Sequence, residues 1–282
     1  MDGIVLINKP KGITSYDVIR VAKKIFKTSK IGHTGTLDPF AEGLVILCIG
    51  KATKLVNRLI DANKTYEGVI LFNNHYDTYD ITGEIIKSDE KEVTLEQLKL
   101  VSNDFLGSYL QTPPIYSAIK KDGKKLYEYA RKNIDIKIEP RLVHIYSLDI
   151  LNKLNDNEFS FKTSVSKGTY IRSLAVDIAS KLNTFGALKA LKRTKIDNYL
   201  LSDAVDLENL SINDIKSIED IFKDLDSIVL NDYMINLVKN GIYLDERQMI
   251  TNNDFKVYNE NKELVAIYEV VSENKYRPFI LL

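Results

Sequence analysis

The chain has 282 residues, of which 44% are hydrophobic and 28% are charged, and its formal net charge is zero. This length is sufficient for one large domain and a small one, with cores that need no covalent or metal staples. The sequence has no apolar run of about 18 residues, a single cysteine at position 48 and three separated histidines, so it predicts no membrane span, no internal disulfide and no zinc site. Because the N-terminal residues carry no basic region, we expect no secretory signal and a cytoplasmic protein.

Strand and helix patterns alternate in the first hundred residues. Residues 9–12 predict a turn, after which Thr14 is expected to cap a helix with Asp17 at its third position. The apolar run at 43–50 is bounded by glycines and predicts a buried strand. The other predicted elements are a strand at 4–8, a strand at 66–72, a polar loop at 73–83 and an amphipathic helix at 94–106.

The second part of the chain follows a break at Pro113 and Pro114. Its predicted elements are a basic turn and short helix at 120–132, strands at 142–151 and 158–165, a helix at 169–182 and a β-rich unit opening near 240. The acidic stretch at 203–230 predicts a boundary between a large domain at 1–228 and a small β-rich domain at 229–282. The order of elements predicts an α+β fold with a mixed, largely antiparallel sheet flanked by helices.

Charge is distributed unevenly along the chain. Residues 1–60 carry ten lysines and arginines against four acidic residues, whereas residues 201–230 carry eight acidic residues against two lysines. A net charge of zero argues against a generic nucleic-acid binder, but this asymmetry permits a basic face that binds RNA. Two ordinary solvated surfaces would explain the distribution equally well.

The segment at 32–39, GHTGTLDP, sets Asp38 between a glycine-rich turn and a proline. Gly32 and Gly35 permit unusual backbone angles, and Pro39 biases Asp38 toward an extended conformation. A carboxylate that enters a buried strand in this way is a candidate nucleophile or general base. A turn in which Asp38 only accepts backbone hydrogen bonds is the alternative.

The whole string at 32–54 resembles the active-site motif of the tRNA pseudouridine synthase B (TruB) family. Segments at 3–15, 64–66, 116–131 and 166–172 resemble further motifs of this family in the same order. The resemblance implies a pseudouridine synthase fold and the isomerisation of a tRNA uridine in the T-arm, at position 55 in tRNA numbering, without metal or cofactor. It makes Asp38 the key catalytic residue, which attacks C1′ of the ribose or C6 of the base, or acts as a base.

The same resemblance implies the roles of the other site residues. Arg172 would pair with Asp38, hold it ionised and lower its pKa. Tyr66 would stack on the extruded uracil, Tyr170 and Leu191 would form further walls of the base pocket, and His33 would occupy the space that the flipped base leaves. On pattern alone, the two tyrosines and the leucine would be predicted as core or half-buried residues.

A mobile RNA-gripping segment is implied at about 117–140, and its basic side chains would contact phosphates, although an exposed basic helix would have the same sequence. Asp80 belongs to a loop at 77–83 that resembles an acidic loop of the family and could position arginine or substrate groups. The chain departs from the usual pattern at 73–76 and at Lys192. The predicted RNA contacts are Lys9, Lys120, Lys124, Lys125 and Arg131.

A stand-alone monomer that acts on tRNA without a protein partner is therefore expected. Three alternatives remain open: a non-catalytic tRNA-binding or tRNA-folding factor, a hydrolase that releases the free base, and a guide-RNA-dependent synthase. A factor that only bound or folded tRNA would gain nothing from a carboxylate in a site that binds an anionic RNA. The hydrolase lacks a clear second acidic group, and the C-terminal segment is short for docking a guide RNA. The resemblance of that segment to a PUA-like RNA-binding unit rests on residues 236–241.

Overall fold

The computed structural model describes residues 2–132 and 134–282. Positions 1 and 133, the latter inside the predicted gripping segment, lie outside the described residues. The strands are β1 (Gly3–Lys9), β2 (Ile31–His33), β3 (Glu42–Ile49), β4 (Lys64–Phe72), β5 (Asn74–Tyr76), β6 (Ile85–Ser88), β7 (Gly107–Gln111), β8 (Lys120–Lys121), β9 (Lys124–Lys125), β10 (Arg141–Asn155), β11 (Glu158–Val165), β12 (Gly186–Ile196), β13 (Tyr199–Leu200), β14 (Val205–Asp206), β15 (Lys216–Ser217), β16 (Ser227–Leu230), β17 (Leu244–Asp245), β18 (Phe255–Asn259), β19 (Leu264–Ser272) and β20 (Lys275–Leu281).

The α-helices are α1 (Ser15–Phe26), α2 (Val56–Asp61), α3 (Leu95–Asn103), α4 (Leu126–Ala130), α5 (Ile171–Lys181), α6 (Ile218–Ile221) and α7 (Asp232–Lys239). Short 3-10 helices lie at Gly50–Leu55, Leu201–Asp203, Leu207–Asn209 and Ile212–Asp214. None of the helices in the described part of the chain is long and apolar enough to cross a membrane.

The central sheet has the strand order β14-β1-β3-β12-β4-β11-β10-β7, with β2, β13 and β15 paired at its side. The β1–β14 and β3–β12 pairs are parallel and the other pairs are antiparallel. β16, β18, β19, β20 and β17 form a second, five-stranded sheet. The predicted α+β class, with a mixed, largely antiparallel sheet and a small β-rich C-terminal unit, is confirmed.

Both faces of the central sheet are covered where β1 and β3 run through it. Val5, Ile7, Val45 and Leu47 pack in a core with helices α1, α3 and α5. The alternate residues of the same strands pack against the C-terminal unit, where Ile267 and Ile280 belong to the same cluster. Strands that are buried on both faces read as continuous apolar runs, which explains the run at 43–50.

Helix α1 begins where its cap predicts. The Thr14 hydroxyl accepts a hydrogen bond from the backbone N–H of Asp17, whose carboxylate accepts one from the Thr14 N–H at 2.9 Å. This reciprocal box satisfies two backbone donors that the first turn leaves free. The turn before this helix is joined to the Asp38 loop by the Gly12 N–H, which donates to the Pro39 carbonyl.

Several predicted elements have different boundaries in the structure, and two of them are informative. The helix predicted at 94–106 ends at Asn103, and Phe105 is buried by edge-on packing against Tyr109 rather than by a helical turn. The polar loop predicted at 73–83 contains β5, which pairs with the exposed strand β6. Apolar spacing records which residues are buried, but it does not record whether a helix or a tertiary contact buries them.

Candidate active site

Asp38 lies on the connection between β2 and β3, which is anchored on both sides of the carboxylate. The Leu37 N–H donates to the Ser15 hydroxyl at 2.9 Å, and the Pro39 carbonyl accepts from the Gly12 N–H at 2.7 Å. Leu37 itself is buried. The turn before α1 and the first residue of α1 therefore fix the peptides next to Asp38, so that its side chain is aimed by the backbone.

Arg172, in the first turn of α5, meets Asp38 in an ion pair. Its Nε lies 2.8 Å from one carboxylate oxygen, and its Nη2 donates to the other at 3.2 Å. The guanidinium also donates to the carbonyls of Thr78 and Tyr116, each at 2.9 Å. Only 5% of the Arg172 side chain is exposed, whereas 35% of the Asp38 side chain faces the solvent. The arginine is thus fixed from several sides, and the carboxylate stays accessible.

The pKa of Asp38 is raised from its usual value because burial disfavours the charged form, and the nearby Asp80 carboxylate adds to this effect. The charges of Arg172 and Lys9 act in the opposite direction. Arg172 therefore lowers the pKa of Asp38 as expected, but desolvation outweighs the ion pair and the net pKa is raised. The ion pair thus offsets part of that cost, and its two contacts hold the carboxylate in one orientation.

Asp80 is buried in the loop at 77–83 and lies 3.5 Å from Arg172 Nη1. One of its oxygens accepts hydrogen bonds from the Thr82 N–H at 3.0 Å and from the Thr78 hydroxyl at 3.1 Å. The loop is joined to β12 through the Leu188 N–H, which donates to the Tyr79 carbonyl at 3.0 Å. Asp80 thus holds the loop whose Thr78 carbonyl binds Arg172.

A cavity of about 270 Å³ opens beside this ion pair. Tyr66, Tyr170 and Leu191 line it together with Asp38 and Arg172. Tyr66 and Leu191 are nearly buried, and burial raises the pKa of the Tyr170 phenol, which lies near Ser117 and Asp38. The cavity forms where β4 and β12 meet the Asp38 loop and the start of α5. These elements bring together residues that are distant in the chain, such as Gly35 and Arg193, which are 158 positions apart.

Two cations that the sequence analysis did not assign also line the cavity. Arg193 is 1% exposed, and it donates to the Leu44 carbonyl at 2.7 Å and to the Gly35 carbonyl at 3.2 Å. Lys64 donates to the Ala62 carbonyl at 2.6 Å and to the Leu59 carbonyl at 3.1 Å, and burial lowers its pKa to about 8. Each lies two residues from an assigned pocket residue on the same strand, so strand alternation places both on the side of the sheet that carries the pocket.

His33 and Lys9 lie outside the group of cavity-lining residues. The Nδ1 atom of His33 accepts from the Gly35 N–H at 3.3 Å, and burial lowers the pKa of the imidazole. Lys9 is fully buried, and its ammonium group donates to the carbonyls of Pro10 and Ile13 at 2.8 Å. In this conformation Lys9 stabilises the turn before α1, and it exposes no surface to a phosphate.

The basic segment predicted to grip RNA folds as the small hairpin of β8 and β9 followed by α4. Lys120, Lys124 and Arg131 are exposed, and Lys125 is partly exposed. The cations of Lys125 and Arg131 lie 5.4 and 5.3 Å from the centre of the Tyr127 ring. Four of the five predicted RNA contacts are therefore on an accessible surface. Within the described ranges, no cluster of His, Cys, Asp or Glu has the geometry of a metal site.

Comparisons with known proteins identify the relatives of this chain. Residues 23–171 match the family model described as TruB family pseudouridylate synthase (N terminal domain). The chain is 47% identical over 279 residues to tRNA pseudouridine synthase B of Onion yellows phytoplasma (strain OY-M), with 99% of each chain covered. It is 38% identical over 272 residues to the protein of the same name from Aquifex aeolicus (strain VF5), with 93% of each chain covered.

Two solved structures share the fold. A chain in the crystal structure of a Cbf5-Nop10-Gar1 complex matches 96% of this chain and 79% of its own length, with a TM-score of 0.68 and 23% identity. A chain in an H/ACA RNP bound to a substrate RNA containing 2'-deoxyuridine gives the same TM-score at 20% identity, over 99% of this chain and 83% of its own. At these identities the likeness supports the fold alone.

Proposed function

The chain belongs to the TruB family of pseudouridylate synthases, an isomerase family, and we propose that it converts the T-arm uridine of tRNA, position 55, to pseudouridine. The observation that carries this proposal is the Asp38–Arg172 ion pair in the lining of the cavity. The cavity joins a partly exposed carboxylate to two tyrosines and a leucine, which suits a flat base next to a nucleophile.

The reaction moves one bond and one proton. The C1′–N1 bond of the uridine breaks, the uracil turns, and C1′ bonds to C5, which loses its proton while N1 gains one. The substrate and product have the same atoms, so no oxidant, reductant or energy source is consumed. Asp38 acts on C1′, acts on C6 or serves as a base, and each route needs the ionised carboxylate that Arg172 orients.

The target uridine must leave its stack to reach Asp38, which costs roughly a few kcal/mol. Contacts with the flipped base in the cavity would offset this cost: Tyr66 stacks on the uracil, and Tyr170 and Leu191 form the other walls. His33 fills the space that the base leaves. The exposed lysines of the β8–β9 hairpin and Arg131 contact phosphates of the T-arm, while Asp80 supports Arg172 through the loop at 77–83.

The division of labour between the two parts of the chain is also proposed. Residues 1–228 form the catalytic domain, with the gripping segment at about 117–140, and residues 229–282 form a PUA-like unit that binds RNA. The enzyme acts on tRNA in the cytoplasm, as a monomer and without a protein partner. Support for the division comes from the family and from the two separate sheets, each with a hydrophobic cluster of its own, although a third cluster joins them.

The test is pseudouridine formation on an unmodified tRNA transcript, with wild type and Asp38→Asn assayed side by side for product and for tRNA binding. We expect product from wild type, none from Asp38→Asn, and equal binding by both. Asp156→Asn is a matched control, because its side chain is fully exposed in the β10–β11 turn and its loss should leave the rate unchanged.

Other outcomes would point to the alternative functions. Tight tRNA binding by a wild-type protein that forms no product would favour a tRNA-folding factor. Free uracil in place of pseudouridine would favour a hydrolase, and activity that appears only with an added guide RNA would favour a guide-dependent synthase.

A further inference from the structure

Gln111, the last residue of β7, has a buried side-chain amide whose hydrogen-bonding atoms are all engaged. Its oxygen accepts from the Tyr170 N–H at 2.8 Å, and its nitrogen donates to the Tyr170 carbonyl at 3.1 Å. The second hydrogen of the nitrogen is directed to the Tyr109 hydroxyl, 2.6 Å away. The side chain therefore pairs with both peptide groups of one residue, as a neighbouring β-strand would.

The paired residue is the one that immediately precedes α5. Tyr170 is the N-cap of α5 with extended backbone angles, and it has no side-chain cap hydrogen bond. Its carbonyl also accepts from the Leu174 N–H at 3.0 Å. The Tyr170 N–H has Gln111 as its hydrogen-bonding partner, so loss of the amide would leave this donor without one.

Strand β7 and the residue after it also contact α5 beyond Tyr170. The Tyr109 hydroxyl donates to the Asp177 carboxylate at 3.3 Å, and Asp177 lies near the middle of α5. The carbonyl of Thr112, next to Gln111, accepts from the Ser173 hydroxyl at 2.8 Å. Strand β7 is thus joined to α5 at several points, and Gln111 makes the contact that is nearest to the cavity.

We propose that Gln111 is a positioning residue that fixes the peptide of Tyr170 and thereby sets the position of the Tyr170 ring against the uracil. This inference rests on the proposed function, because it gives Tyr170 the role of a pocket wall. Gln111 does not line the cavity and touches no reacting atom. Its effect on the rate must therefore pass through Tyr170, whose phenol lies near Asp38.

The test is Gln111→Met, a substitution of similar size that removes all three hydrogen bonds. The single-turnover rate of pseudouridine formation should fall by about tenfold to a hundredfold, the cost of a small misplacement at a reacting centre, while the Kd for tRNA stays unchanged. Hydrogen exchange of the Tyr170 amide should become faster. A wild-type single-turnover rate in this variant would overturn the proposal.

Two further variants separate positioning from a general loss of stability. Gln248→Met removes a comparable amide bond to the backbone, the one from the Asp245 N–H at 3.1 Å in the C-terminal unit, and should leave the single-turnover rate unchanged. Tyr109→Phe keeps both bonds between Gln111 and Tyr170 and should cost less rate than Gln111→Met. Equal losses in Tyr109→Phe and Gln111→Met, or a comparable loss in Gln248→Met, would overturn the proposal.

Failure of the wild-type enzyme to form pseudouridine would refute the proposed function, whereas faster exchange at Tyr170 in Gln111→Met tests the contact without any activity. If Gln111→Met does not fold, Gln111→Asn replaces it, because its shorter amide cannot reach both peptide groups of Tyr170. The same loss of rate at unchanged tRNA affinity is expected, and a wild-type rate would again overturn the proposal.

Discussion

Removing the arginine of the Asp38–Arg172 pair should destabilise the protein far more than removing an exposed arginine. Arg172→Met deletes the two contacts with Asp38 and the hydrogen bonds to the carbonyls of Thr78 and Tyr116. It also leaves Asp80 without its nearby cation. Breaking a buried ion pair from one side costs about 3–5 kcal/mol. Because a third of Asp38 faces solvent, we expect a loss near the lower limit, about 3 kcal/mol of unfolding free energy.

The part of this loss that belongs to the pair is measured by a double-mutant cycle with Asp38→Asn. In the Asn background no carboxylate is left unpaired at position 38, so Arg172→Met should cost less there, by about 1–2 kcal/mol. The assay is urea unfolding of the four proteins at neutral pH, with free energies extrapolated to water. Arg20→Met is the matched control, because its side chain is 64% exposed and its ion pair with Asp17 is on the surface.

Two results would refute this reasoning. A coupling energy of zero would mean that Asp38 and Arg172 do not stabilise each other in solution. If Arg172→Met lowers the unfolding free energy no more than Arg20→Met does, the buried contacts of the Arg172 guanidinium contribute no more than those of a surface charge.

Two further predictions concern stability. Burial raises the pKa of Asp177 from 3.8 to about 6, so the charged form of Asp177 lowers the unfolding free energy at high pH. Asp177→Asn, whose side chain can still accept a hydrogen bond from Tyr109, should raise the unfolding free energy by about 1–2 kcal/mol at about pH 8. This gain should vanish as the pH falls toward about 4. An equal gain at both pH values in urea unfolding would contradict this sign. Gly43→Ala should cost roughly 2–4 kcal/mol in the same assay, because Gly43 has a φ of +109° and an added Cβ would lie 2.4 Å from the Arg193 carbonyl oxygen. Gly12→Ala, with a φ of +87° and open space around it, should cost only about 1 kcal/mol, and equal costs would refute the steric argument.

The elements that the sequence predicted well are those with a pattern of neighbouring residues. The cap at Thr14 and the apolar run of β3 depend on residues within a few positions of each other, so their patterns could be interpreted without the fold. The helix predicted at 169–182 instead begins at Ile171. The helix begins later than predicted because Gln111, which is 59 positions away in the chain, holds the Tyr170 peptide in an extended conformation.

The candidate site was predictable only through resemblance to a family. Asp38 and Arg172 are 134 positions apart, and no periodicity or spacing rule relates an aspartate in a loop to an arginine at the start of a helix. Arg193 and Lys64 were within reach of simple alternation, but a charged residue on the buried face of a strand is rare, so the pattern favoured exposed side chains. The raised pKa of Asp38 depends on the depth of the loop, which the sequence does not contain.

The candidate site has a local charge that the net charge of the chain does not show. Four buried cations surround the Asp38 loop: Arg172, Arg193, Lys64 and Lys9. Each is held by backbone carbonyls, which accept hydrogen bonds but do not neutralise charge. Arg193 lowers the pKa of both lysines, which places three of these charges close together. Against the carboxylates of Asp38 and Asp80, and of Glu42 beside Lys9, the site keeps an excess of positive charge, which would favour the anionic substrate that we propose. Most of the 39 basic and 39 acidic residues are solvated side chains, so their sum gives no indication of the buried cations around the Asp38 loop.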